Sequence, residues 1–325
     1  MNIFSLKYFG IFFLIISFFS FFNIIYSYYF NLLNNLNNYI LTFGITLIIG
    51  LFLIIYRKYK FEKINLFERI SIVLIGYLIL PAIISIPYYF NIDNISLINC
   101  YFEAISGFTS TGFSIFNDLD QLDQTLILWR SSSQWIGGLY FLSSVILLID
   151  IFDTSFKKTL TNFLSFDTIE TLKQSFKILV LYTFLTFFIF LILKLIDLRT
   201  FDAFNLSMTL ISSGGFLPVN NLSNIINSNL KEIVFSLLML SSFFSIFFVS
   251  NLFLFKKKNI IFFQEDIYLL IYFLVLLLLF FLLLNYGYNF SVILLSLTSS
   301  ISNIGISLNK SPQNLSFVFL ILVII

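Results

Sequence analysis

Residues 103–112 read Glu103-Ala104-Ile105-Ser106-Gly107-Phe108-Thr109-Ser110-Thr111-Gly112. A short apolar segment rich in hydroxyls runs into a glycine and then turns polar. The pattern recurs as Leu210-Ile211-Ser212-Ser213-Gly214-Gly215-Phe216 and as Ser300-Ile301-Ser302-Asn303-Ile304-Gly305-Ile306. Aligned on Gly112, Gly215 and Gly305, a hydroxyl falls three residues earlier each time: Thr109, Ser212 and Ser302. Another falls six earlier: Ser106, Thr209 and Ser299. A re-entrant loop with glycine at its apex is one way for a chain to present backbone carbonyls to an ion inside a membrane.

The composition sets the surroundings of these loops. Of 325 residues, 59% are hydrophobic and only 10% charged, and the mean hydropathy is +0.99. Soluble domains carry about 25% charge, so the chain reads as an all-α polytopic membrane protein. Phe, Ile, Leu, Ser and Asn dominate throughout, so some phenylalanines read as lipid-facing filler. The net charge of +2 gives no reason to expect nucleic acid as a partner. With one cysteine, Cys100, no intrachain disulfide forms, and with no histidine a Cys/His zinc site is excluded by count. The apolar run to Phe30 is too long for a signal-peptide core and reads as a retained first span.

A span needs about 20 apolar residues. Long runs lie near 9–30, 39–56, 70–90, 126–150, 175–197, 232–255 and 266–286, with a last run at 315–325. Shorter stretches lie near 95–108, 200–213 and 289–302. As helices these cover about 21 Å, too little for a 30 Å hydrocarbon core, so they are expected to be re-entrant. Arg57, Lys58, Lys60, Lys63 and Arg69 form one basic loop, Lys157, Lys158 and Lys173 a second, and Lys256-Lys257-Lys258 a third. Two full spans separate each from the next. The positive-inside rule then puts all three in the cytoplasm, with the N-terminus and Lys7 on the same side and the short segments open to the outside.

The expected organisation is two leading transmembrane helices (1–69), a first pore unit (70–160), a second (161–260) and a third (261–325). Each unit is span, re-entrant loop, span. All enter from one side, so the repeats are parallel and the ion pathway would lie along the membrane normal. Ser-Gly and Thr-Gly pairs are also ordinary helix ends and turns; three aligned copies after helices too short to span favour the ion-pathway reading.

The segment from Glu103 to Gly112 resembles the first pore loop of the Trk/Ktr/HKT potassium transporter family, nearest its TrkH branch. Trp129-Arg130-Ser131-Ser132-Ser133-Gln134-Trp135-Ile136-Gly137-Gly138 is similar to the start of that family's first inner helix, and Ser213-Gly214-Gly215-Phe216 to its second filter. The resemblance covers about residues 70–310 and implies four units around one potassium pathway. It implies that Thr109, Ser110, Thr111 and Gly112, then Ser212, Ser213, Gly214 and Gly215, then Ser302, Asn303, Ile304 and Gly305 supply filter carbonyls to potassium; no organic cofactor is expected. Gly112 goes with potassium over sodium in that family. The third loop departs from the pattern, with Asn303-Ile304 where a small or hydroxyl pair is usual. The resemblance further implies a homodimer, a cytosolic nucleotide-binding regulatory subunit of the RCK type, surrounding lipid, proton or sodium coupling, and the bacterial inner membrane. Residues 313–325 make about 20 Å of helix; the family's glycine-rich gating loop and fourth unit do not follow. The expectation is a chain truncated in its third repeat, and the alternative to transport is a non-conducting fragment or assembly subunit.

Three further features are weighed. Glu103, a costly charge in a short apolar helix, is expected to brace the filter through backbone or a partner, or else to sit at a water-exposed outer position; Arg130 supports the filter or, like Trp135, anchors at the interface. Asn117-Asp118-Leu119-Asp120-Gln121-Leu122-Asp123 is expected to cap the next helix rather than form an electronegative mouth. A magnesium-dependent membrane enzyme is the remote alternative. Its spaced-aspartate motif needs a carboxylate where Gln121 stands.

Overall fold

The computed structural model of the chain describes residues 3–55, 66–92, 94–148, 168–243 and 290–306, with isolated positions at 267, 271, 274 and 277. The spans expected at 266–286 and 315–325 lie outside the described residues, as do most of the basic loops. Among the described residues all longer regular elements are α-helices: α1 (Ile3–Tyr29), α2 (Leu36–Ile55), α3 (Leu66–Asn91), α4 (Leu97–Phe108), α5 (Gln124–Leu148), α6 (Thr168–Leu195), α7 (Thr200–Ile211), α8 (Asn229–Phe243) and α9 (Phe290–Ile301). The chain forms two compact units, Met1–Thr183 and Phe184–Ile325, whose boundary falls within α6.

Stretches of α1, α2, α3 and α6 are each long and apolar enough to cross a membrane. α5 is not among them despite its 25 residues. Its run Arg130-Ser131-Ser132-Ser133-Gln134 is polar, and each of those side chains is buried within the protein. A helix that meets protein on every side along this stretch does not need an apolar surface for lipid. Its serines return their hydroxyls to its own turns: Ser132 Oγ donates to Leu128 O at 2.7 Å and Ser133 Oγ to Arg130 O at 2.6 Å.

In the first unit α1 and α2 form a close antiparallel hairpin. Gly10 and Gly50 make this approach feasible: a Cβ on Gly10 would lie 3.1 Å from Gly50 O, and one on Gly50 3.2 Å from Gly10 O. Small residues facing each other are how helices approach closely in lipid. The centre of the unit is an aromatic cluster around Tyr140 of α5. Its ring lies 4.9 Å from Phe12 of α1, 5.1 Å from Tyr77 of α3, 5.3 Å from Phe108 of α4 and 5.8 Å from Tyr8 of α1. Buried tyrosines need a partner for the hydroxyl, and that of Tyr140 lies 3.1 and 3.0 Å from the carbonyls of Ile72 and Val73. One side chain therefore ties four helices together, α4 included.

In the second unit α7, α8 and α9 share one apolar core. Leu206 and Leu210 of α7, Phe235 and Met239 of α8, and Leu295 of α9 are all fully or almost fully buried there.

Tyr140 reaches the α3 backbone because position 76 has no side chain. A Cβ there would sit 1.8 Å from the Tyr140 hydroxyl oxygen and 2.4 Å from the ring carbon bearing it. Gly76→Ala is expected to destabilise the protein by about 1–3 kcal/mol through overpacking, and Tyr140→Phe in the same chain to recover part of the loss. Thermal unfolding of the detergent-purified variants checks this; an unchanged midpoint for Gly76→Ala would contradict the packing described.

Candidate functional site

The three short helices have the same length and the same ending. α4, α7 and α9 each have 12 residues and stop four positions before Gly112, Gly215 and Gly305. The hydrogen bonds beyond each end are equivalent. Ser110 N donates to Gly107 O and Thr111 N to Ser106 O, at 3.0 and 2.9 Å. Ser213 N donates to Leu210 O and Gly214 N to Thr209 O, at 3.2 and 2.9 Å. Asn303 N donates to Ser300 O and Ile304 N to Ser299 O, at 3.2 and 3.1 Å. This pairing is the Schellman ending, in which a left-handed residue turns the chain back over the helix.

Backbone angles repeat as well. Ser110, Ser213 and Asn303 have φ of 56°, 54° and 54°, and the apex glycines 112, 215 and 305 have φ of 79°, 80° and 71°. Two left-handed residues separated by one thus reverse each loop. A non-glycine residue in this region costs roughly 1–2 kcal/mol, least for asparagine. The departure at Asn303 therefore falls at a position that suits it, and the third loop keeps the backbone of the other two.

The recurring hydroxyls hold this geometry. Those three before the glycine turn back onto their helices: Thr109 Oγ1 donates to Ile105 O at 2.7 Å, Ser212 Oγ to Met208 O at 2.9 Å and Ser302 Oγ to Thr298 O at 2.7 Å. In the first two loops those six before it reach forward across the loop. Ser106 Oγ donates to Phe113 O at 2.5 Å and Thr209 Oγ1 to Phe216 O at 2.8 Å. Helix-end carbonyls are thereby occupied. Among the described residues no donor meets the backbone carbonyls of Thr109, Ser110, Thr111 and Gly112 in the first loop.

Glu103 and Arg130 come together behind the first loop. Arg130 Nε lies 2.8 Å from Glu103 Oε1, with both side chains buried. The other carboxylate oxygen accepts from Ile115 N at 2.9 Å. Ser114 Oγ joins the pair, donating to Glu103 Oε1 at 3.1 Å and accepting from Arg130 Nη2 at 2.9 Å. Phe116 N donates to Ser114 Oγ, and its ring lies 5.6 Å from the Arg130 guanidinium carbon. Sequence reasoning named Glu103 and Arg130 but not Ser114, Ile115 or Phe116. The second loop carries Pro218 where the first carries Ile115, three positions past the glycine. Proline has no N–H to satisfy, and the helix position matching Glu103 is Leu206, fully buried.

Arg130 and Trp135, weighed as interfacial anchors, are both buried within the protein. Trp129 is buried and donates from Nε1 to Ile84 O at 2.9 Å. Trp135 is buried against Phe19 and Tyr182. Gly137 of α5 meets the last carbonyl of α4 directly, for a Cβ there would lie 1.8 Å from Phe108 O. In the acidic cluster Asp123 caps α5, accepting from Thr125 N at 3.0 Å, and also accepts from Asn35 Nδ2. Asp118 accepts from Asp120 N and from Gln121 Nε2. Among the described residues no group of three or more His, Cys, Asp or Glu side chains could hold a metal ion.

The fold matches that of the crystal structure of the potassium transporter TrkH from Vibrio parahaemolyticus, with a TM-score of 0.74 over 99% of this chain and 70% of that one, at 21% identity. An uncharacterized cation transporter of Methanocaldococcus jannaschii is 30% identical over 219 residues, 63% of this chain and 44% of its own length. The Trk system potassium uptake protein TrkH of Escherichia coli K12 is 26% identical over 111 residues, 34% of this chain and 23% of its own. The chain is thus similar in sequence to Trk potassium uptake proteins over part of its length and shares the TrkH fold. No family model matches it. The chain spans less than half the length of the curated Trk-family relatives it matches, and all of these carry transport names rather than enzyme names.

Two outcomes test the site's packing. Gly137→Ala drives a methyl group into backbone and is expected to lower the thermal midpoint sharply. Gly44→Ala, with nothing within 4 Å of the new methyl, is expected to be neutral or to stabilise by up to about 1 kcal/mol. Equal effects would contradict the α4–α5 contact. For the ion pair, Glu103→Leu alone strands a buried charge and is expected to cost about 3–5 kcal/mol, whereas Glu103→Leu with Arg130→Met recovers most of it. A double-mutant cycle on unfolding midpoints reads the coupling, and strict additivity would show that the pair does not act as a unit.

Proposed function

We propose that the chain moves potassium across the bacterial cytoplasmic membrane through carbonyls of its glycine-apex loops. The observation that carries this is one turn, with the same two left-handed residues, at the end of three short helices. A permeating cation must exchange hydration oxygens for others, and fixed backbone carbonyls can supply them. The oxygens belong to Thr109 through Gly112, Ser212 through Gly215 and Ser302 through Gly305, each loop one sector of the pathway. The partly negative C-terminal end of each short helix favours a cation at the loop that follows.

Glu103 and Arg130 act as filter support in this reading. Ionised, they cancel one another, so the brace leaves no net charge behind the loop. The basic loops put the N-terminus in the cytoplasm, the membrane potential drives uptake, and a proton or sodium ion is coupled. The resemblance to Trk proteins supports a homodimer and a cytosolic nucleotide-binding subunit of the RCK type. A second reading, a non-conducting fragment or assembly subunit, draws on the share of the relatives' length that this chain spans.

Rubidium uptake in a potassium-uptake-deficient bacterium expressing this chain separates the two. The transport reading expects growth rescue at low potassium, and the fragment reading expects none. Gly112→Ser forces a side chain onto φ of 79° and is expected to lower potassium preference over sodium by about tenfold or more. Asp118→Asn is expected to leave it unchanged. The reverse pattern would overturn the filter assignment.

A further inference from the structure

Beyond its ion pair, the first loop differs from the other two in a further chemical respect. Thr109 Oγ1 lies 2.7 Å from Ile105 O, and a carbonyl cannot donate, so the single hydroxyl hydrogen of Thr109 lies on that bond. Thr109 Oγ1 is also 2.6 Å from Thr111 Oγ1. With the Thr109 hydrogen already used, Thr111 must be the donor of that contact. The hydrogens therefore run inward, from Thr111 to Thr109 to the Ile105 carbonyl. Thr111 Oγ1 is left with lone pairs and no outward hydrogen. Thr111 is exposed, and among the described residues no donor meets its oxygen.

We propose that the hydroxyl oxygen of Thr111 is itself a ligand for the permeating monovalent cation, an oxygen the second and third loops do not have. Ser212 and Ser302 make the same inward bond as Thr109, but the residue before the apex glycine is Gly214 in one loop and Ile304 in the other. Neither can extend the chain. A donated hydroxyl is a better acceptor because linked hydrogen bonds polarise one another. Here the chain ends on a carbonyl in the last turn of α4, at the partly negative end of that helix. Thr111 thus sets one sector of the pathway apart by side-chain chemistry while all three share the same backbone. The inference rests on the filter reading above.

Potassium titration calorimetry on the purified chain in nanodiscs tests both and tells them apart. The wild-type chain is expected to bind, and Gly112→Ser to lose binding. Thr111→Val is expected to bind about tenfold more weakly, while Thr111→Ser, which keeps the hydroxyl, stays near wild type. If the valine variant does not fold, Thr111→Ala carries the same expectation. Wild-type affinity in the valine or alanine variant, with binding lost in Gly112→Ser, would overturn the Thr111 assignment alone. A serine variant as weak as valine would overturn it too, because the methyl group would then be the part that matters. A wild-type chain that binds no potassium would overturn both.

Discussion

A helix that ends inside an apolar protein leaves its last four carbonyls without partners, and this structure answers that constraint three times in one way. The chain folds back over the end of the short helix, two amides close onto helical carbonyls, and a hydroxyl at the cap returns to the turn before it. In the first loop the next carbonyls, Thr109 to Gly112, meet no donor among the described residues. What looks like a device for terminating helices also leaves oxygens open there. The helix-end reading of the Ser-Gly and Thr-Gly pairs and the ion-pathway reading describe the same atoms.

The support behind each loop follows from a single backbone group. In the first loop the N–H of Ile115 is turned inward and needs an acceptor. Glu103 provides it, and the buried carboxylate then needs Arg130. In the second loop Pro218 removes the donor, and the matching helix position is the apolar Leu206. One amide hydrogen thus accounts for the buried ion pair, and for one charged residue in the polar run on α5. Gly137 completes the arrangement by letting α5 touch the final carbonyl of α4.

Much of this was legible in the residues. Apolar runs too short to span gave α4, α7 and α9 to within two residues at either end, because length and hydropathy are local. The glycines gave the apices, since a left-handed turn strongly prefers them. The direction of each side chain was not legible. Thr109 and Ser106 both appear as recurring hydroxyls, but only the folded turn shows that one points back to the helix and the other forward to Phe113. Nor could spacing show that Asn303 occupies a left-handed position, where its departure from the pattern does no harm. α5 was also legible as a helix near 126–150, and it runs Gln124–Leu148; what the sequence could not show is that its serines are buried by helices far away in sequence.

The central claim is that monovalent cations sit at the carbonyls of these three turns. Anomalous diffraction from crystals of this chain soaked in thallium is the most direct measurement. The account predicts anomalous peaks within coordination distance of the carbonyls of Thr109–Gly112, Ser212–Gly215 and Ser302–Gly305. Peaks confined to the acidic segment around Asp118–Asp123, with none at the turns, would contradict it.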